Sequence, residues 1–220
     1  MPLAQLIDHT FLKSAGEPDA VRKLCREAKQ CGFASVCVNP AEVPLAARLL
    51  KRSSVKVCTV IGFPLGQNTT AAKIFEAADA VENGAEELDF VVNQRLLKYD
   101  PDACGEELEA LVKCCRAGGR PVVLKLILEC CNLTKAEIQR GCRLAKRAGF
   151  DFVKTSTGFG AGGATAADVK LMRKTVGKTM GVKAAGGIRT CADAMAMVKA
   201  GATRLGCSAG VEIVSNPRSR

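Results

Sequence analysis

Residues 108–129, LEALVKCCRAGGRPVVLKLILE, contain a change of hydrophobic period. Leu108, Leu111, Val112 and Cys115 recur at i, i+3, i+4 and i+7, the spacing of one apolar stripe on a helix. Gly118 then offers the left-handed cap that ends such a helix. From Val122 to Leu128 the chain is almost continuously apolar, which predicts a buried strand. Its alternation puts Leu124, Leu126 and Leu128 on one face, with Lys125, Ile127 and Glu129 on the other. The three-leucine face suits contact with helices, so Lys125 and Glu129 are expected to point toward the opposite, interior side.

The same plan recurs along the chain. Val21, Leu24, Cys25 and Ala28 precede Gly32; Ile74, Ala77, Ala78 and Val81 precede Gly84; Ile138, Gly141, Cys142 and Ala145 precede Gly149. Eight strands are expected, at 6–10, 34–38, 56–61, 87–92, 122–128, 151–154, 181–184 and 204–207. Strands that alternate with helices at this spacing fit a single-domain α/β fold, a closed (β/α)8 TIM barrel with a short N-terminal helix. An open doubly wound sheet is the structural alternative. The barrel is expected over residues 1–214, with SNPRSR, 215–220, as a mobile C-terminal tail.

Composition narrows the class. At 220 residues, 48% apolar and 25% charged, the chain reads as globular, with no apolar run long enough to span a membrane and no secretory signal. A cytoplasmic location is expected. Twelve cysteines without a C-x-x-C pair, and a single histidine, His9, give no zinc pattern; the cysteines read as small core residues in a reducing compartment. The net charge of +10 is scattered along helices among acidic residues, and there is one tyrosine and no tryptophan. That distribution argues against nucleic-acid binding and for a solvated basic exterior.

Chemistry in such barrels sits at the C-terminal ends of the strands. Strand one ends in Asp8-His9-Thr10, strand four runs through Leu88-Asp89-Phe90-Val91-Val92-Asn93, and two strands close on Lys154 and Lys183. Alternation sends Asp89, Val91 and Asn93 inward, together with Lys154 and Lys183. Each lysine alone could snorkel to solvent, and Lys125 could pair with Glu129 purely structurally. Several like charges converging in one interior are costly without a purpose.

Two lysines brought together have one obvious use. An amine attacks a carbonyl only when neutral, and lowering a lysine from about 10.4 to about 7 requires roughly 4–5 kcal/mol. A second ammonium about 4 Å away supplies on the order of 4 kcal/mol at an effective dielectric near 20, and partial burial adds to it. The pair suits a Schiff-base nucleophile with a cationic neighbour, and an inward Asp89 could move protons. A Cys-His nucleophile would have to use His9. Beyond Lys183, Gly186-Gly187 and Gly206-Cys207-Ser208-Ala209-Gly210 follow the last two strands and lead into helices, where barrel enzymes hold phosphate.

The stretches IDHTFLK (7–13), GFASVCVNP (32–40), VIGFPLG (60–66), ELDFVVN (87–93), DFVKTSTGF (151–159), VKAAGGIR (182–189) and GCSAG (206–210) span nearly the whole chain. In that order they resemble the 2-deoxyribose-5-phosphate aldolase family. The resemblance implies a (β/α)8 barrel and a reversible cleavage of 2-deoxy-D-ribose 5-phosphate to D-glyceraldehyde 3-phosphate and acetaldehyde, with no metal and no cofactor. It implies Lys154 as the Schiff-base lysine, Lys183 as the lysine that perturbs it and Asp89 as acid/base. Asp8, Thr10, Cys37, Lys125 and Thr157 match further active-site positions, and Gly158, Gly186, Gly187, Arg189, Gly206 and Ser208 match the phosphate site. Partners would be these small molecules and further copies of the chain, as a homodimer or homotetramer, with neither nucleic acid nor membrane. Two departures stand out: Ala209 replaces a hydroxyl residue that the family often has, and the only tyrosine is Tyr99, whereas some members carry a C-terminal one. Another phosphate-binding barrel lyase or isomerase is the alternative function.

Overall fold

A computed structural model describes residues 2–119 and 121–215. Eight parallel strands close on themselves: β1 (Ile7–Phe11), β2 (Ser35–Val38), β3 (Lys56–Ile61), β4 (Glu87–Val91), β5 (Val123–Ile127), β6 (Phe152–Lys154), β7 (Gly181–Ala185) and β8 (Arg204–Cys207). Pairing of Ile7, Asp8 and His9 with Leu205, Gly206 and Cys207 seals the ring, which rules out the open sheet. The helices are α1 (Ala20–Cys31), α2 (Val43–Leu50), α3 (Thr70–Glu82), α4 (Gln94–Tyr99), α5 (Pro101–Ala117), α6 (Lys135–Ala148), α7 (Ala166–Val176), α8 (Cys191–Ala200) and α9 (Gly210–Ser215). The expected N-terminal helix is a 3-10 turn, Leu3–Leu6. Of the expected tail, Ser215 ends α9 and residues 216–220 lie outside the described residues.

The barrel stands because its strands bury an apolar outer face against the helices. Leu124, Leu126 and Leu128 are buried among the helices, as the alternation of β5 requires, and each such side chain contributes on the order of 2 kcal/mol. A smaller apolar layer, Leu12, Cys37, Cys58 and Val60, fills part of the interior. Thr69, Thr134, Thr165 and Thr190 cap α3, α6, α7 and α8 by accepting a hydrogen bond from the backbone N–H three residues on. These caps fix where four of the loops above the barrel end.

Two local readings are corrected. Gly118 is right-handed, and it is Gly119, at φ 70°, that takes the left-handed turn after α5. On α3 the stripe holds at Ala77, with Ile74 and Val81 half-buried against the core, but Ala78 is exposed and the face extends to buried Lys73 and Ala80. Lys73 is buried because its ammonium meets Glu107 of α5 at 2.9 Å and the carbonyl of Val91 at 3.2 Å. A hydrophobic scale cannot register an apolar stem whose charge is paired inside.

Candidate active site

Register explains how distant residues converge. Asp89 lies opposite Lys125, Lys154 opposite Lys183, and Lys183 opposite Arg204. Paired residues on neighbouring strands point to the same side, so one layer of the interior collects four cations. Three carboxylates meet them. Asp89 Oδ1 is 2.7 Å from Lys125, and its Oδ2 is 2.8 Å from Lys154 and 2.7 Å from Lys183. Asp8 contacts Lys183 at 2.5 Å and Arg204 at 2.6 Å, and Glu87 contacts Lys125 at 2.7 Å and Arg204 at 3.0 Å. One positive charge is left in excess.

The electrostatics of this layer are strong because it is buried. Burial by itself would raise the pKa of Asp89, yet Lys125, Lys154 and Lys183 overcome it and hold the carboxyl well below the usual range. Asp8 is lowered in the same way, against burial, by Lys183, Lys125 and Arg204. Burial would discharge Lys183 and Lys125, but the facing carboxylates keep both raised and therefore protonated. The direct contact of two ammonium groups expected from the sequence is thus mediated: Lys154 and Lys183 share one oxygen of Asp89.

Above this layer opens a cavity of about 320 Å3 lined by Thr10, Lys13, Lys154, Thr157, Gly158, Gly186, Gly187, Arg189, Gly206 and Ser208, with apolar walls that include Phe11, Leu12, Phe159 and Ile188. Of the lysines in the charged layer, Lys154 alone lines it. Lys183, Lys125, Asp89, Asp8 and Cys37 lie beneath, each fully buried. Nine of the fourteen residues singled out in the sequence therefore face the cavity and five support its floor.

The loops are held firmly. Thr155 Oγ1 bonds the carbonyl and amide of Ala185, and the Thr155 amide donates to the carbonyl of Lys183, so the turn after β6 is fastened to β7. Gly186 and Gly187 have φ of 86° and 80°, a backbone that favours glycine. Asp193 accepts from the amides of Arg189 and Thr190, which fixes the backbone where Arg189 lines the cavity. Gly206 is small for a reason: a Cβ there would sit 3.1 Å from Cε of Lys183, whose stem passes across the strand.

The sequence reading missed Glu87, Arg204 and Cys58. Glu87 was within reach, since it precedes Asp89 by two on the same strand face, and Arg204 pairs with Lys183 across β7 and β8. Cys58 Sγ lies 3.3 Å from both Asp89 and Lys125. Asn93 points elsewhere than expected, capping α4 through the amides of Arg95 and Leu96. Cys37, Cys58 and Asp89 bring potential metal ligands within 4.8 Å of one another, but three ammonium groups already hold that carboxylate, and a cation would have to displace them. All twelve cysteines are free thiols.

The model of the DeoC/LacD family aldolases matches residues 3–216. The chain belongs to this aldolase family. It is 56% identical over 215 residues to the deoxyribose-phosphate aldolase of Thermoanaerobacter sp. (strain X514), covering 97% of this chain and 96% of that one. With the deoxyribose-phosphate aldolase of Halalkalibacterium halodurans it shares 55% over 219 residues, covering 99% and 96%. The tetrameric deoxyribose phosphate aldolase of Aeropyrum pernix superposes with a TM-score of 0.91 at 37% identity, covering 99% of this chain and 91% of that one. The chain is accordingly an aldolase, a carbon–carbon lyase built on a (β/α)8 barrel.

Proposed function

We propose that this aldolase reversibly cleaves 2-deoxy-D-ribose 5-phosphate, with Lys154 as the Schiff-base nucleophile. The observation that carries this assignment is that Lys154 alone of the buried lysines reaches the cavity while still touching Asp89. For the amine to react, the Lys154 ammonium gives up a proton, and Asp89 Oδ2 at 2.8 Å is placed to receive it. The freed nitrogen adds to C1 of the open-chain sugar, and loss of water from the carbinolamine gives an iminium. The C2–C3 bond then breaks as the C3 hydroxyl loses its proton, and its electron pair moves onto the iminium to leave an enamine. Glyceraldehyde 3-phosphate departs, the enamine carbon takes a proton, and hydrolysis returns acetaldehyde and free Lys154. Lys183 serves as a permanent cation that keeps Asp89 ionised between proton transfers.

The phosphate is assigned to the other end of the cavity, among Gly158, Gly186, Gly187, Gly206, Ser208 and the Arg189 side chain. Glycine there lets backbone N–H groups approach oxygen closely, and the excess positive charge favours a dianion. Sodium borohydride reduction in the presence of acetaldehyde, followed by peptide mass mapping, should place an ethyl group on Lys154. An adduct on Lys183 instead would exchange the two roles, and none on either would end the proposal.

We also infer that copies of this chain associate, as a dimer or tetramer, in the cytoplasm. The Aeropyrum tetramer and two aromatic side chains standing free on helices, Phe75 at 76% and Tyr99 at 79% exposure, support association. Among the described residues no helix is long and apolar enough to cross a membrane. Light scattering should give a mass of at least twice 23.1 kDa; a monomer at micromolar concentration would reject it.

A further inference from the structure

Glu129 follows β5 directly and is the sole non-glycine with positive φ among the described residues, at 56°. Side chains resist that backbone, and locally Glu129 gains a bond from the Asn132 amide to its carbonyl at 3.1 Å and a long thiol contact from Cys131. Its carboxylate is buried, and among the described residues no basic side chain pairs with it. Apart from the thiol of Cys131, which donates to Oε1 at 3.9 Å, its partners belong to the turn after β6. The Thr157 amide lies 3.3 Å from both carboxylate oxygens, and the Thr157 hydroxyl donates to Oε2. Thr157 Oγ1 in turn accepts from the amide of Phe159 at 3.0 Å. Gly160 leaves the carboxylate room, since a Cβ there would come within 3.0 Å of Cδ. The base of this turn is fastened by Thr155; its tip rests on Glu129.

We propose that Glu129 is a positioning residue that sets the substrate's phosphate end, acting through Thr157 to hold Gly158 and Phe159 on the cavity wall. This rests on the phosphate assignment above. Without the carboxylate, the Thr157 hydroxyl and amide lose their acceptor and the tip of the turn is free to shift. Lys154, fixed by β6 and Asp89, stays where it is. The loss should therefore fall on recognition of the phosphate rather than on the chemistry at C1.

The test compares 2-deoxyribose 5-phosphate with unphosphorylated 2-deoxyribose, as the ratio of their kcat/KM values. Glu129→Gln places an amide N–H2 against the Thr157 donors, and the ratio should fall roughly tenfold, the size of one lost hydrogen bond to a charged group. A purely structural defect would lower both substrates equally and leave the ratio alone. A fall of less than about threefold in folded Glu129→Gln overturns the proposal. If that variant does not fold, Gly160→Ala decides by the same threshold, because its backbone is not left-handed and its methyl displaces the carboxylate without removing charge. Wild-type protein that cleaves deoxyribose but shows no preference for the phosphorylated sugar would sink the phosphate assignment and this inference with it. Wild-type preference that survives in the variants sinks the inference alone.

Discussion

Lys154→Arg should lose on the order of 10,000-fold in kcat/KM for 2-deoxyribose 5-phosphate, as expected when a covalent nucleophile is removed. The melting temperature should hardly change. Arginine keeps a cation beside Asp89, so the balance of four cations against three carboxylates survives. Its guanidinium stays protonated at any usable pH and cannot add to a carbonyl as a neutral amine. The enlarged head can extend into the cavity that Lys154 already lines. Charge and fold are thus preserved while imine formation is not. Borohydride with acetaldehyde should label no residue in this variant. Activity above about 1% of wild type would mean that the nucleophile lies elsewhere, with Lys183 the next candidate. Lys183→Met makes the contrast: it takes from both Asp8 and Asp89 their shared cation, so it should lose stability as well as rate.

The barrel was legible because periodicity changes sharply at each glycine. Helix stripes with i, i+3, i+4 spacing gave way to short apolar runs, and strand bounds fell within one residue of those expected. Inward-facing residues were legible for the same reason, since alternation in β5 sends Lys125 one way and three leucines the other. What one strand cannot reveal is the partner across the ring. Asp8 and Lys183 lie 175 positions apart in sequence, yet their side chains meet because closure sets β1 beside β8 and β8 beside β7. Opposite charges were therefore expected merely to share a mouth, whereas they are interleaved. That difference matters chemically. Ammonium repulsion and partial burial were the expected forces on Lys154; a carboxylate shared with Lys183 instead stands between the two cations and puts the proton acceptor directly against the nucleophile. Glu129 was legible as inward-facing but not as left-handed, because its conformation answers to donors on another loop.

Asp89→Asn should damage both functions of that layer. An amide of the same shape can still accept from one lysine, but it supplies no charge, and Lys125, Lys154 and Lys183 would face one another across it. Removing one partner from a buried ionic cluster costs about 3–5 kcal/mol, a fall in melting temperature on the order of 10 °C for a chain of this size. The rate should fall by about 100- to 10,000-fold, the usual worth of a positioned proton acceptor. The pH dependence supplies the sharper signature. In the unfolded chain an aspartate titrates near 4, and in the folded protein the surrounding ammonium groups, against the opposing effect of burial, hold Asp89 well below that. The unfolded state therefore binds the extra proton first, and stability increases with pH through the window below about 4. Its contribution is complete above that window and is lost as the pH falls through the folded value. Urea midpoints measured from pH 2.5 to 7 should drop steeply at the acid end for wild type and less steeply for Asp89→Asn. Some slope must persist in the variant, because Asp8 is depressed by Lys183, Lys125 and Arg204 in the same sense. Identical acid slopes for both proteins would mean that Asp89 is not held ionised by its lysines, and the proton route from Lys154 would have to be redrawn.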